Sequence, residues 1–166
     1  MILLKLDQVK GDSKISGYEN CIAITSVSWN IERTFSESAK HGTQDVNVGI
    51  ADLQPLELNK SYDTASVDLM GQAIAGGSCG DTAYLYFLST SGVNAEKPAK
   101  FLEFKLANPI IASWSISGEE DERPTETFGL WYWKIWMQYF SSTDGKNYKA
   151  AGSRGWDRVL SKPWSG

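Results

Sequence analysis

Residues 128–140 read FGLWYWKIWMQYF, a densely aromatic tract with a period-two pattern. The odd positions Trp131, Trp133, Ile135, Met137 and Tyr139 are all apolar, and the even positions mix Tyr132, Trp136 and Phe140 with Lys134 and Gln138. Successive side chains of a strand point to opposite faces, so the tract predicts one long strand whose odd face belongs to a core. The even face is more apolar than a surface turned wholly to water requires. It predicts cover by another chain or by a helix of the same chain.

Working outward, most of the remaining chain also reads as strand. Residues 2–9 (ILLKLDQV) place Ile2, Leu4 and Leu6 opposite Lys5 and Asp7, and Gly11-Asp12-Ser13 reads as a turn. Residues 21–33 (CIAITSVSWNIER) are rich in β-branched residues, with Val27, Trp29 and Ile31 opposed to Ser26, Ser28 and Asn30. A polar stretch from Thr34 to Val48 follows and is expected as a long loop, either functional or mobile. ADLQPLELNK (51–60) predicts a strand whose Pro55 marks an edge or a bulge. Residues 82–90, 100–106 and 108–117 predict three more strands, the acidic stretch Gly118–Thr125 a turn, and Gly155-Trp156-Asp157 a short final strand.

One helix stands out, TASVDLMGQAIA at 64–75. Asp63 is placed to cap it, Val67, Met70, Ala73 and Ile74 make an apolar stripe, and Gly76-Gly77 supplies the stop. About seven to nine strands with one short helix predict a mainly β protein: a small antiparallel barrel or sandwich, one domain over 1–166.

The 166 residues carry 16 Lys+Arg against 20 Asp+Glu, a formal charge of −4, so the basic footprint of a nucleic-acid binder is missing. No stretch reaches the length of an apolar membrane helix. The start, MILLKLDQVKGD, lacks the basic, apolar and small-residue pattern of a secretory leader, which predicts folding in the cytosol. Cys21 and Cys79 leave open one disulfide or two buried thiols. With one histidine, His41, and no CxxC, HxxxH or HExxH spacing, no metal centre is predicted.

Several residues carry a sharper and a blander reading. His41 in the polar stretch has a general base's chemistry, but no Ser, Cys or Asp stands beside it in a nucleophile pattern. Glu119, Glu120, Asp121 and Glu122 lack the alternating ligand spacing of a calcium loop and read as a solvated turn. Gly71, Gly76, Gly77 and Gly80 end a helix rather than open one, so they form no phosphate loop. The aromatic ladder is either core plus interface or a stacking platform. On the second reading the chain is a carbohydrate-binding module. An enzyme would need a cleft gathering Glu103, Glu126 and His41. No cofactor is predicted.

The order of segments, rather than any one motif, resembles a known family. Val9-Lys10-Gly11-Asp12-Ser13 follows the opening strand, and Val27-Ser28-Trp29-Asn30 ends the second. Asp63-Thr64-Ala65-Ser66-Val67-Asp68-Leu69 opens the helix, and Phe101-Leu102-Glu103 precedes Ile110-Ile111-Ala112-Ser113. Glu126, Leu130, Tyr132, Lys134-Ile135 and Tyr139 come next, and Gly155-Trp156-Asp157 closes the series. Across its length the chain resembles the haemolysin-coregulated protein family, Hcp, the tube protein of bacterial type VI secretion systems. It departs in a less glycine-rich stretch after Arg33 and in Tyr18-Glu19-Asn20, where a histidine often sits.

The resemblance implies a structural protein, not an enzyme: a small β-barrel with a helix at its side, six copies of which form a ring. It further implies rings stacked into a tube that ends in a spike protein and is driven by a contractile sheath. Export through the apparatus would need no cleavable signal, and small effectors would travel in the lumen. On that basis Ser26, Ser28 and Asn30 are lumen-lining candidates. His41, Gly42, Thr43, Gln44 and Asp45 are ring-stacking candidates, and Tyr132, Lys134, Trp136 and Gln138 are subunit-interface candidates.

Overall fold

A computed structural model of the chain describes residues 1–38, 45–89, 98–145 and 147–166, with strand residues 36–38 and 45–47 described by their backbone alone. In chain order the strands are β1 (Ile2–Lys5), β2 (Ile22–Ile24), β3 (Ser26–Ser28), β4 (Ile31–Ser38), β5 (Asp45–Leu53) and β6 (Leu56–Ser61). The helix α1 (Ala65–Ala75) follows. Then come β7 (Thr82–Ser89), β8 (Ala99–Ala107), β9 (Ile110–Ser117), β10 (Thr125–Trp131), β11 (Lys134–Ser141), β12 (Lys149–Asp157) and β13 (Lys162–Pro163). A seven-stranded sheet runs β13-β12-β11-β8-β7-β1-β2, a four-stranded sheet β3-β6-β10-β9, and β4 pairs with β5 as a separate ribbon. Every pairing is antiparallel. The mainly β reading with one short helix holds, and the two sheets form an open sandwich rather than a closed barrel.

Two chain segments expected as single strands turn corners instead. The aromatic tract splits at Tyr132-Trp133, so β10 belongs to the four-stranded sheet and β11 to the seven-stranded one. Residues 22–28 cross between the same sheets at Thr25, whose Oγ1 donates to the Asn59 carbonyl at 2.8 Å. The polar stretch after Arg33 is also strand over much of its length, because β4 and β5 pair from Ile31↔Leu53 to Ser38↔Asp45. Leu53 at the end of β5 is buried and Ala51 packs on the core, whereas Ile31, Phe35, Val48 and Ile50 are exposed, so the ribbon leaves the core over most of its described side chains. Pro55 lies between β5 and β6, outside the ladder that its missing N–H would break.

The core lies between the two sheets. Leu4, Ile22, Leu85, Leu106 and Ile135 come from the larger sheet, and Leu56, Leu58, Phe128 and Leu130 from the smaller, each fully or almost fully buried. Leu3, on the other side of β1, packs with Cys21 and Leu88 under Ile15, Tyr18 and Tyr86. Cys21 and Cys79 are free buried thiols in different clusters, and burial raises the pKa of both.

The helix starts and stops where expected, yet it is rotated. Asp63 Oδ1 accepts the Ala65 N–H at 2.9 Å, and Gly76 ends the helix at φ 69°, a conformation that a side chain disfavours. The buried residues are Ala65, Ser66 and Leu69, while Val67, Met70 and Ile74 of the expected stripe are exposed. The reason is polar. Lys60 Nζ, completely buried, donates to Ser66 Oγ at 2.9 Å and Asp63 Oδ1 at 2.7 Å, and pairs with Glu126 Oε1. Ser66 Oγ donates on to Glu126 Oε1 at 2.8 Å, and Trp114 Nε1 donates to Glu126 Oε2 at 2.9 Å. Fixing Ser66 inside this network turns the more apolar stripe outward.

Candidate functional site: a polar sheet face

The strand alternation of the smaller sheet separates two chemistries. In β6, Leu56, Leu58 and Lys60 are buried, whereas Glu57, Asn59 and Ser61 face out. The registers Ser26↔Asn59↔Thr127↔Ser115 and Ser28↔Glu57↔Gly129↔Ser113 carry the outward set across all four strands. Ser61, Thr125 and Ser117 continue it. Its side chains bond to one another: Asn59 Nδ2 donates to Ser26 Oγ at 2.9 Å, and Thr127 Oγ1 donates to Asn59 Oδ1. Ser113 Oγ accepts the Gly129 N–H at 3.1 Å. The result is a flat, hydroxyl- and amide-rich surface. Its one charged side chain among the described residues is Glu57.

Ser26 and Ser28 lie on this face, as their alternation with Val27 predicted, and Val27 and Trp29 pack against the core. Asn30 is exposed just beyond β3, its Nδ2 donating to Glu32 Oε1 at 2.9 Å. Ile31, expected on the inner side with Trp29, is exposed because the chain there leaves the sandwich for the β4–β5 ribbon. His41, Gly42, Thr43 and Gln44 lie outside the described residues, and Asp45 opens β5 with only its backbone described. Sequence reasoning missed Asn59, Ser61, Thr125, Thr127, Ser113, Ser115 and Ser117. The alternation of polar residues in ELNKS and SWSIS was a usable signal, but strand pairing decides that they share one surface.

Around β11 the odd face turns inward as expected, but its cover is partial: Ile135 is buried, whereas Met137 and Tyr139 are exposed. Tyr132 is completely buried, its Oη donating to the Gln54 carbonyl at 2.9 Å and accepting from Trp29 Nε1 at 2.8 Å. Burial pushes its pKa up to about 12. Tyr132 therefore presents nothing to a neighbouring subunit. Lys134 pairs with Asp157 at 2.9 Å. Trp136 is half-buried under the chain's own C-terminus, where Trp164 N–H donates to the Gly155 carbonyl at 3.0 Å. A Cβ on Gly155 would sit 2.5 Å from the Trp164 carbonyl oxygen, so glycine permits this close approach. Lys105 and Lys134 hold their ammonium groups 5.5 and 5.9 Å from the Trp164 ring centre. Gln138, further along β11, is half-buried. At Lys134 and Trp136 the chain's own tail lies against this face.

No arrangement for reaction chemistry is present among the described residues. Glu126 is held in the Lys60 network between the sheets, whereas Glu103 lies on the opposite side of the larger sheet, paired with Lys100 at 2.5 Å. No group of three or more His, Cys, Asp or Glu side chains is placed to hold a metal ion among the described residues. Among them, too, no helix is long and apolar enough to cross a membrane.

The fold and its polar face define an antiparallel β-sandwich protein with a side helix and an open hydroxyl surface. A family model described as "Type VI secretion system effector, Hcp" matches residues 3–139, and the chain belongs to that family. This is a family of structural tube proteins, not enzymes, secreted through the type VI system. The chain is similar to a solved structure described as a type six secretion system protein, at 26% identity, with 98% of both chains covered and a TM-score of 0.85. Its fold matches Hcp1 from Salmonella typhimurium, at 23% identity, TM-score 0.72 and coverage of 98% and 97%. It also matches a type VI secretion system effector from Yersinia pestis, at 16% identity, TM-score 0.70 and coverage of 95% and 99%. No curated protein matches the chain.

Proposed function

We propose that the chain is the repeating unit of a type VI secretion tube, one domain over 1–166 that assembles six to a ring, with rings stacked end to end. The observation that carries this reading is the Ser/Thr/Asn face of the smaller sheet. A channel that passes folded cargo needs a wall that is polar, small-featured and nearly neutral. That face has this composition across four strands. Ser26, Ser28, Asn59 and Thr127 line the lumen, and Asn30 lies toward one mouth.

The β4–β5 ribbon, whose strands lead into and out of the ring-stacking candidates 41–45, supports a stacking role for this part of the chain. Ile31, Phe35, Val48 and Ile50 are exposed on it, more apolar surface than a ribbon bathed in water needs. In this reading the subunit folds in the bacterial cytoplasm and leaves through the apparatus without a cleavable signal. Its partners are further copies of itself, a spike protein, the contractile sheath and small effectors. Nucleic acid and membrane insertion have no part, in keeping with the net charge of −4.

Native mass tests the reading directly. Light scattering on the size-exclusion peak is expected to give six times the 18.4 kDa of one chain. A monomer at all concentrations would overturn it.

A further inference from the structure

The inner face of the larger sheet continues past its cover. Ile135 is 4% exposed, yet Met137 and Tyr139 on the same face reach 37% and 51%, and Trp156 beside Ile135 reaches 38%. The seven-stranded sheet is wider than the four-stranded one packed on it, so β11 and β12 carry core-type residues beyond the core. Gly152 stands opposite Tyr139, and a Cβ there would meet nothing within 4 Å. The charged residue on this strip is Arg154, opposite Met137. It is exposed, with Nη1 donating to its neighbour's carbonyl, that of Ser153, at 2.8 Å.

A second apolar surface on the same chain also lacks cover. Val67, Met70 and Ile74 are 58%, 38% and 79% exposed on α1, Asp68 is exposed beside them, and the helix has no basic residue in its last turn. One chain cannot bring the two together. The helix is tied to Gln8 and Asp12, beyond the Lys5 end of β1, through Gln72 and Thr64, whereas Met137 and Tyr139 run toward the row of Ile2, Phe87 and Leu102 at the other end.

We propose that the strip Met137–Tyr139–Trp156 seats the helix stripe Val67–Met70–Ile74 of a second copy, with Arg154 facing Asp68. A helix stripe laid on a sheet face is a standard way to bury both, and here the opposite charges fix the register. The contact joins two different surfaces, so it propagates from copy to copy and closes when its rotation allows. The inference rests on the self-assembly reading above and names its seam.

Charge reversal tests the seam, because both charged residues are exposed and their replacement leaves the fold intact. Arg154→Asp and Asp68→Arg are each expected to raise the concentration at which assemblies dissociate by at least about tenfold. The double variant is expected to restore assembly. Single variants that assemble like the parent, or a double variant that gains nothing over the singles, would overturn the seam while the tube reading stands. A parent protein that is monomeric overturns both. As a second readout, Ile74→Cys with Tyr139→Cys should give a crosslinked ladder under mild oxidation. A ladder from Tyr139→Cys with Phe35→Cys, and none with Ile74→Cys, would assign the strip to the ribbon and remove the helix.

Discussion

Along β6, Leu56, Leu58 and Lys60 point inward and are completely buried, while Glu57, Asn59 and Ser61 point out. The inner face is a packed apolar layer that ends in one charged network. The outer face is a lattice of short polar side chains with open surface beside it. Stability is concentrated on the inner face, and the outer face contributes little to it. A buried group has its solvation replaced by fixed partners, so losing a partner is costly. An exposed hydroxyl exchanges one partner for water at little cost.

The largest loss of stability is expected from removing one member of the buried network. Glu126→Ala leaves Lys60 Nζ buried with reduced compensation, and Lys60→Ala does the converse to Glu126. Each is expected to cost about 3–5 kcal/mol in urea unfolding. A joint replacement, Lys60→Met with Glu126→Leu, is expected to recover most of that loss. A cost under about 1 kcal/mol for either single change would show that water reaches the network.

A smaller effect is expected where the inner face turns its corner. Tyr132→Phe deletes the hydroxyl shared by Gln54 and Trp29, at a cost of about 1 kcal/mol by the same measurement. Gln54 keeps the Trp29 Nε1 donor at 3.1 Å, which limits the loss.

Asp157 supplies a pH-dependent test. The Leu160 N–H foremost, then Lys134 and the Val159 N–H, holds its pKa below the ordinary carboxylate value. A carboxyl depressed in the folded state stabilises the fold fully above its unfolded pKa of about 4. That contribution is lost as pH falls through the folded value. Thermal melts are therefore expected to fall more steeply below about pH 4 for the parent than for Asp157→Asn. Parallel acid slopes would remove Asp157 from the acid response.

The smallest stability effect belongs to the outer face. Ser28→Arg is expected to change unfolding by no more than about 0.5 kcal/mol. It should leave assembly mass unchanged and reduce retention of co-expressed effector. Unchanged retention would count against Ser28 as a lumen residue.

Period-two alternation made some parts of the fold legible and misled on others. In Ser26–Ser28 the short polar set and Val27 are plainly opposed, so the alternation reads correctly, whereas in LELNKS the alternation is usable but a lysine in the inward set obscures it. In residues 128–140 both sets are rich in aromatics, and the pattern was degenerate. The odd set did contain Ile135, but Met137 and Tyr139 lie beyond the cover, and Tyr132 of the even set is the buried residue at the corner. The helix failed in a related way. Its most hydrophobic stripe is the face that periodicity singles out, whereas the Lys60–Glu126 pair draws in Ser66 instead.

Local sequence features alone specify the class: strand periods, a capped helix stopped at Gly76, no clustered ligands or nucleophile patterns, and an order of segments shared with the Hcp family. These are local or additive properties that short stretches of chain carry in full. Only the tertiary structure decided which residues share the polar face, where the aromatic tract changes sheets, and which aromatic surface is left bare. Each of these depends on cover supplied by elements distant in the chain. The C-terminal tail covers Trp136, and the narrower sheet stops short of Tyr139. A residue's own alternation specifies which neighbours share its side of the strand, but not what lies above them.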